Sequence, residues 1–192
     1  MKKIHFLLSL LKQAMLLLGV FAMSNLHARL LQSIHTPRLI IRPLELRDVP
    51  DCLAILSDER VACMHAGLTL IHDISQAQEF VMAAQKQYET NHYEYLAVQE
   101  KATGKMIGMV GFDDYKPEFY RTALGYSFAY KYWGKGYATE ASNALMDLAF
   151  MHMNINRFFA TVDPENIRSI RVLEKLGMKL EGHLRQNRTL PD

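Results

Sequence analysis

Two short stretches of this chain carry residue types whose spacing suits chemistry. The first is Lys131 to Thr139, KYWGKGYAT, which lies between a predicted strand and a long predicted helix. Gly134 and Gly136 let the backbone approach an anion closely there, and the unsatisfied amides and dipole of a helix N-terminus favour negative charge. A pyrophosphate suits such a cradle, although two glycines before a helix also make a plain turn, and the letters alone leave both readings open. The second stretch is Asp163 to Gly177, DPENIRSIRVLEKLG. Asn166 and Ser169, three apart, share one helix face near its N-terminus, so an amide and a hydroxyl can reach one ligand. The plainer alternative makes Asn166 an N-cap and Ser169 a surface residue.

Other chemistries fail on the letters. A Walker loop needs a serine or threonine after a Gly-Lys pair, but Gly136 is followed by Tyr137. A Rossmann fingerprint needs a small third residue where Thr139 stands. No H-E-x-x-H, G-x-S-x-G or C-x-x-C occurs, which removes metalloprotease, serine hydrolase and thioredoxin-type readings. Cys52 and Cys63 with His65 match no compact metal knuckle and read as semi-buried thiols, so no metal is expected. His65 and His72 read as loop or core residues.

The elements that must position these stretches follow from composition and periodicity. With 192 residues, 49% of them hydrophobic and 22% charged, the chain is long and apolar enough for one globular domain with a sizeable core. It carries 22 Lys and Arg against 20 Asp and Glu, but residues 1 to 38 hold five of the bases and no acid. From residue 39 onward 17 bases face 20 acids, which is unsuited to non-specific nucleic-acid binding. Strands are expected at Arg38 to Leu44, Tyr93 to Gln99, Met106 to Phe112, Thr122 to Ala129, Asn156 to Val162 and, last, Met178 to Arg185. Helices are expected after an Asp48 cap, at Ser75 to Asn91, at Gly134 to His152 and at Asn166 to Leu176. That order predicts an α/β fold, a mixed sheet with helices on both faces. Residues 1–35 form a leader that reads as a signal peptide, a membrane-surface helix or an extension upstream of a start at Met23; the domain is expected at 36–192.

Together, YWGKGYATEA at Tyr132 to Ala141 and PENIRSIRVLEKLGM at Pro164 to Met178 resemble the GNAT superfamily of N-acetyltransferases, specifically its RimJ/RimL-like branch, with likeness running from TPRLIIRPL at Thr36 to the end. The resemblance implies a mostly antiparallel central sheet and direct acetyl transfer from acetyl-CoA, without metal, to a primary amine on a small molecule or a peptide or protein N-terminus. It makes Lys131, Gly134, Lys135 and Gly136 the pyrophosphate loop, with Lys131 where the family usually has Gln or Arg. Phe128 and Tyr130 would pair through their backbones with the pantetheine arm. Asn166 resembles the residue that binds this arm, and Ser169 the hydroxyl beside the thioester sulfur.

Direct transfer needs a base and a proton for the leaving thiolate. Asp113, Asp114 and Glu94 are the candidate bases; Ser169, with Tyr126 as a second choice, is the candidate donor. Relatives often carry a carboxylate where Ala123 stands. The sequence ends at Asp192, so the expected sheet lacks the family's last strand. A CoA-binding pseudoenzyme or regulatory module is the alternative function, and a membrane-associated protein held by the leader is a third. A cytoplasmic monomer or homodimer is expected, with membrane contact only through the leader.

Overall fold

In the computed structural model, which describes residues 32–62, 70–90, 93–116, 119–153 and 155–185, a β-branched run closed by a proline forms strand β2 (Leu39–Pro43), preceded by the two-residue strand β1 (Ile34–His35). Three helices follow: α1 (Val49–Leu56), with Pro50 in its first turn, α2 (Glu59–Ala62) and α3 (Ile74–Tyr88). Asp73 caps α3 by accepting the Gln76 amide at 2.9 Å, and Ala77, Val81, Ala84 and Tyr88 form its buried stripe. Strands β3 (Leu96–Glu100), β4 (Met106–Lys116) and β5 (Arg121–Phe128) make a meander. Helix α4 (Tyr137–His152), strand β6 (Arg157–Phe159) and helix α5 (Ile167–Lys175) complete the order.

The six strands lie side by side in chain order; every neighbouring pair is antiparallel except β5 and β6, which are parallel. A parallel pair requires a crossover, and α4 supplies it. Met106 to Phe112 are all buried. Successive side chains of a strand point to opposite faces, so seven buried in a row mean that both faces of β4 are covered. Helix α1 packs on α3 and β4, while α4 packs on β4 and β5 and against α5.

One feature of the sheet frames the site. β5 pairs with β4 at Arg121 and from Ala123 to Phe128, but with β6 only at Arg121, Thr122 and Ala123. Beyond Ala123 the outer edge of β5 has no strand beside it among the described residues.

Several expectations are corrected. Met178 to Arg185 is not a strand: among the described residues it has no pairing partner, and Leu180 is 92% exposed. Its tie to the sheet is an Arg157–Glu181 ion pair at 2.5 Å. α4 starts at Tyr137, after the glycines rather than at Gly134, because Gly136 is left-handed. Helix α2 and strand β1 were too short to read. Residues 1–31 of the leader, Cys63, His65 and Asn91 lie outside the described residues. Among the described residues no helix is long and apolar enough to cross a membrane, and no cluster of His, Cys, Asp or Glu is arranged to hold a metal.

Asp48 precedes α1 but makes no cap hydrogen bond from its side chain to that helix. The Arg42 guanidinium takes it in a two-pronged pair at 2.7 Å on each side, and the Glu45 amide donates to it at 2.9 Å. Both side chains of the pair are almost fully buried. Removing one partner strands the other charge, so Asp48→Ala should lower unfolding free energy by about 3–5 kcal/mol in urea melts, whereas replacing both with apolar residues should restore most of it.

Candidate active site

Between β5 and α4 the chain makes one 3-10 turn at Tyr130–Tyr132 and then the glycine loop. Gly134 (φ 74°) and Gly136 (φ 82°) are both left-handed, a conformation that glycine enters without steric cost. Gly136 is the N-cap of the 16-residue helix α4 and provides no capping side chain. Among the described residues, a Cβ at Gly134 would meet nothing within 4 Å, and one at Gly136 only Arg38 Nη2 at 3.5 Å. Amide donors, a helix dipole and empty space in front of them fit a pyrophosphate. The Lys131 and Lys135 ammoniums stand 5.1 and 5.2 Å from the Tyr132 ring centroid and add positive charge to the loop.

A network unread in the sequence braces this loop. Glu140, in the first turn of α4, accepts from Thr36 Oγ1 (2.6 Å), the Arg38 amide (2.9 Å) and Arg38 Nε (2.6 Å). Burial works to raise the Glu140 carboxyl, but these donors outweigh it and hold the group below its usual range. Arg38 Nη1 also donates to the Lys135 carbonyl at 2.9 Å, and the guanidinium lies 4.4 Å from the Tyr137 ring centroid. Arg38 thus occupies a backbone acceptor inside the loop. The Trp133 indole donates to the Phe128 carbonyl at 2.6 Å, and the Trp133 amide to the Tyr130 carbonyl at 3.1 Å, so both carbonyls are engaged.

The second motif meets the first along β5. The Tyr126 and Ser169 hydroxyls are 2.8 Å apart, and Tyr126 also donates to the Ser169 carbonyl at 3.2 Å. Burial pushes the Tyr126 phenol up to about 12 despite the hydrogen bond with Ser169, so it is neutral and holds a transferable proton at neutral pH. Asn166 Oδ1 accepts the Ser169 amide at 3.0 Å, which makes it the cap of α5 and fixes the turn that carries Ser169.

The candidate bases separate. Glu94 and Asp113 line a shallow, open hollow of about 30 Å³ together with Tyr95, Met109, Val110, Gly125, Tyr126 and Ser127. Asp114 is not among the lining residues; it pairs with Lys116 at 3.1 Å and Arg121 at 3.7 Å. Phe119 and Tyr120 are exposed away from the lining, and the Tyr115 side chain lies outside the described residues. The segment before β3 crosses over Gly111, where a Cβ would stand 2.0 Å from the Glu94 carbonyl oxygen. Sequence reading missed Arg38, Glu140, Tyr95 and Ser127; only the acid in the first helical turn was a local signal.

Residues 38–179 match the family model described as an acetyltransferase (GNAT) domain. The uncharacterized N-acetyltransferase p20 of Bacillus licheniformis is 33% identical over 155 residues, 81% of this chain and 86% of that protein. A crystal structure of a GNAT-family acetyltransferase from Bacillus anthracis is 31% identical, covering 78% of this chain and 85% of that one with a TM-score of 0.68. The fold is also shared, at 18% identity and a TM-score of 0.74 over 82% of this chain and 89% of the other, with RimL, a ribosomal L7/L12 α-N-protein acetyltransferase solved with coenzyme A. The chain belongs to the GNAT acetyltransferase family and is an acetyl-CoA-dependent N-acetyltransferase. Nothing in these comparisons supports the non-catalytic alternative.

Gly136→Val tests the cradle. A branched side chain at positive φ costs about 1–2 kcal/mol of stability. Calorimetry should show acetyl-CoA affinity falling at least about tenfold, or ~1.4 kcal/mol, in a sample that still melts cooperatively; unchanged affinity removes the anion assignment.

Proposed function

We propose that this chain moves the acetyl group of acetyl-CoA to a primary amine by direct attack, with no acetylated enzyme. The observation that carries the reading is the Tyr126–Ser169 hydroxyl contact, at 2.8 Å beside the unpaired edge of β5 and one short loop from the glycines. The amides around Gly134 and Gly136, with Lys131 and Lys135 nearby, hold the pyrophosphate. The pantetheine arm lies along the outer edge of β5 as an added strand would. Because Trp133 engages the carbonyls of Phe128 and Tyr130, their part in that pairing falls to their N–H groups. Asn166 contacts the arm beside the turn it caps.

Glu94 or Asp113, each lining the hollow, takes the proton of the incoming ammonium. The amine nitrogen bonds to the thioester carbon, backbone donors at the β5 edge meet the oxyanion, and the C–S bond breaks with its electron pair passing to sulfur. Ser169, with Tyr126 behind it, supplies the proton to that sulfur and recovers one from the attacking nitrogen, which becomes the amide N–H. Holding both reactants in one cleft provides much of the acceleration. The motif likeness to the RimJ/RimL branch supports a protein N-terminal α-amino group as one such amine. We place the acetyltransferase domain at residues 36–192 and the protein in the cytoplasm, in keeping with an unpaired, buried Cys52.

Calorimetric titration of acetyl-CoA, with ATP and NAD as controls, followed by CoA-thiol release on adding amines, tests the reading. Ser169→Ala and Tyr126→Phe should each lower kcat at least about tenfold while the KM for acetyl-CoA stays within about twofold, the pattern of a contact made in the transition state. Unchanged kcat in both variants would move the leaving-group role elsewhere.

A further inference from the structure

We propose that Arg121 selects the acceptor by receiving a carboxylate that stands close to the reacting amine. The acceptor is then an aminocarboxylate, either a free amino acid or a peptide whose first residue is acidic. This rests on the acetyl-transfer reading above and narrows its acceptor.

The place of Arg121 on the sheet carries the inference. Along β5, Arg121, Ala123, Gly125 and Ser127 alternate with the buried Thr122 and Leu124 and so share one face of the strand. Gly125 and Ser127 line the hollow, as do Asp113 and Met109, the β4 partners of Ala123 and Ser127. The Arg121 guanidinium lies 5.2 Å from the Phe159 ring centroid and 5.7 Å from that of Phe119. Phe159 is the β6 partner of Ala123. Arg121 therefore leans along its own strand to the rung on which Asp113 stands, with only the methyl group of Ala123 between the two strands that flank it. Beyond this rung the β6 side of β5 opens, where the thioester arm is placed above.

The guanidinium is held in place but not engaged. Two aromatic rings adjoin it, and its Nε is buried without a partner among the described residues. Asp114 is 3.7 Å from Arg121 Nη2, beyond hydrogen-bond reach, and stands nearer to Lys116 at 3.1 Å. Two cations thus share one carboxylate, and a positive charge is left over. The Arg121 side chain is 43% exposed, so a ligand can reach its outer N–H groups. A guanidinium fork takes a carboxylate in two parallel hydrogen bonds, as Arg42 does with Asp48 in this same fold.

The strand spacing sets how far apart the acceptor's two charges stand. With β5 between them, β4 and β6 lie about 10 Å apart. A hydrogen bond of about 2.8 Å at Asp113 and another at Arg121 leave about 4 Å between ammonium nitrogen and carboxylate oxygen. One amino-acid unit spans that gap, through its own carboxylate or through a short acidic side chain.

The test uses two pairs of acceptors that differ by one carboxylate: alanine against alaninamide, and C-terminally amidated Asp-Ala-Ala against Asn-Ala-Ala. For the native protein at neutral pH, kcat/KM should favour the carboxylate member of at least one pair by at least about tenfold, and the pair that shows it tells a free amino acid from an acidic N-terminus. In Arg121→Gln the ratio should fall to within about twofold. If that variant does not melt cooperatively, Arg121→Lys decides, since it keeps the charge and loses the fork, and its ratio should fall at least about threefold. Calorimetry with CoA-saturated protein gives a readout independent of turnover: the favoured member should bind at least about tenfold more tightly than its neutral counterpart, and the Arg121 variant should lose the difference. Parity in both pairs for the native protein, or a preference that survives substitution of Arg121, overturns the inference. Carboxylate-dependent binding with no acetylation of any amine supports the Arg121 assignment and defeats the transfer reading, whereas acetylation without a carboxylate preference does the reverse.

Discussion

The carboxylate of Glu140 is the joint on which the site depends. Its donors come from Thr36 and Arg38, 104 and 102 residues earlier in the chain. They tie the approach to β2, near one edge of the sheet, to the first turn of α4. A loop containing two left-handed glycines has little rigidity of its own, because the residues that permit its shape also permit others. Here the stiffness comes from outside: Arg38 grips Glu140 and the Lys135 carbonyl, and Tyr137 donates to Glu100 at 2.5 Å. On the proposed reading of this loop as a pyrophosphate cradle, its amides would be presented before the anion arrives, and little ordering entropy would remain to oppose binding.

The sheet divides its labour at β5. Up to Ala123 the strand has neighbours on both edges; beyond that point the β6 side is open. The Tyr126 hydroxyl meets Ser169 of α5, and the hollow that Glu94 and Asp113 line lies along the same strand. Under the proposed reaction this one strand would serve both reactants.

What was legible in the sequence was what depends on local residue type. Gly134 and Gly136 announced a close backbone approach at the start of a helix, though that helix was expected to begin at Gly134, and Asn166 announced a cap, because such preferences are settled within a few residues. The strands and long helices were legible from periodicity, with ends that moved by a few residues. What was not legible depends on distance in the chain. Arg38 and Glu140 look like ordinary surface charges until the fold joins them. Asp48 read as a cap because its position before α1 is right for one, but the buried Arg42 competes for the carboxylate and wins. Asp113 and Asp114 were indistinguishable as adjacent letters; a left-handed Asp114 (φ 46°) at an irregularity in the β4–β5 register turns only the second toward Lys116 and Arg121. Ser127 gave no sign, since an unpartnered hydroxyl is a property of its surroundings. The strand expected at Met178 to Arg185 failed for a related reason: alternation in the sequence nominates a strand, but only a neighbour makes one.

Gly111 links sheet packing to the shape of the hollow beside β5. The Glu94 carbonyl rests where a side chain at position 111 would be, so the path of residues 93 to 95, and with it the placing of the Glu94 and Tyr95 side chains, is held by the absence of a single carbon. Any lineage that replaced this glycine would have to reroute the crossing, and the hollow would change shape along with it. A side chain at position 111 and the present shape of the hollow therefore exclude one another.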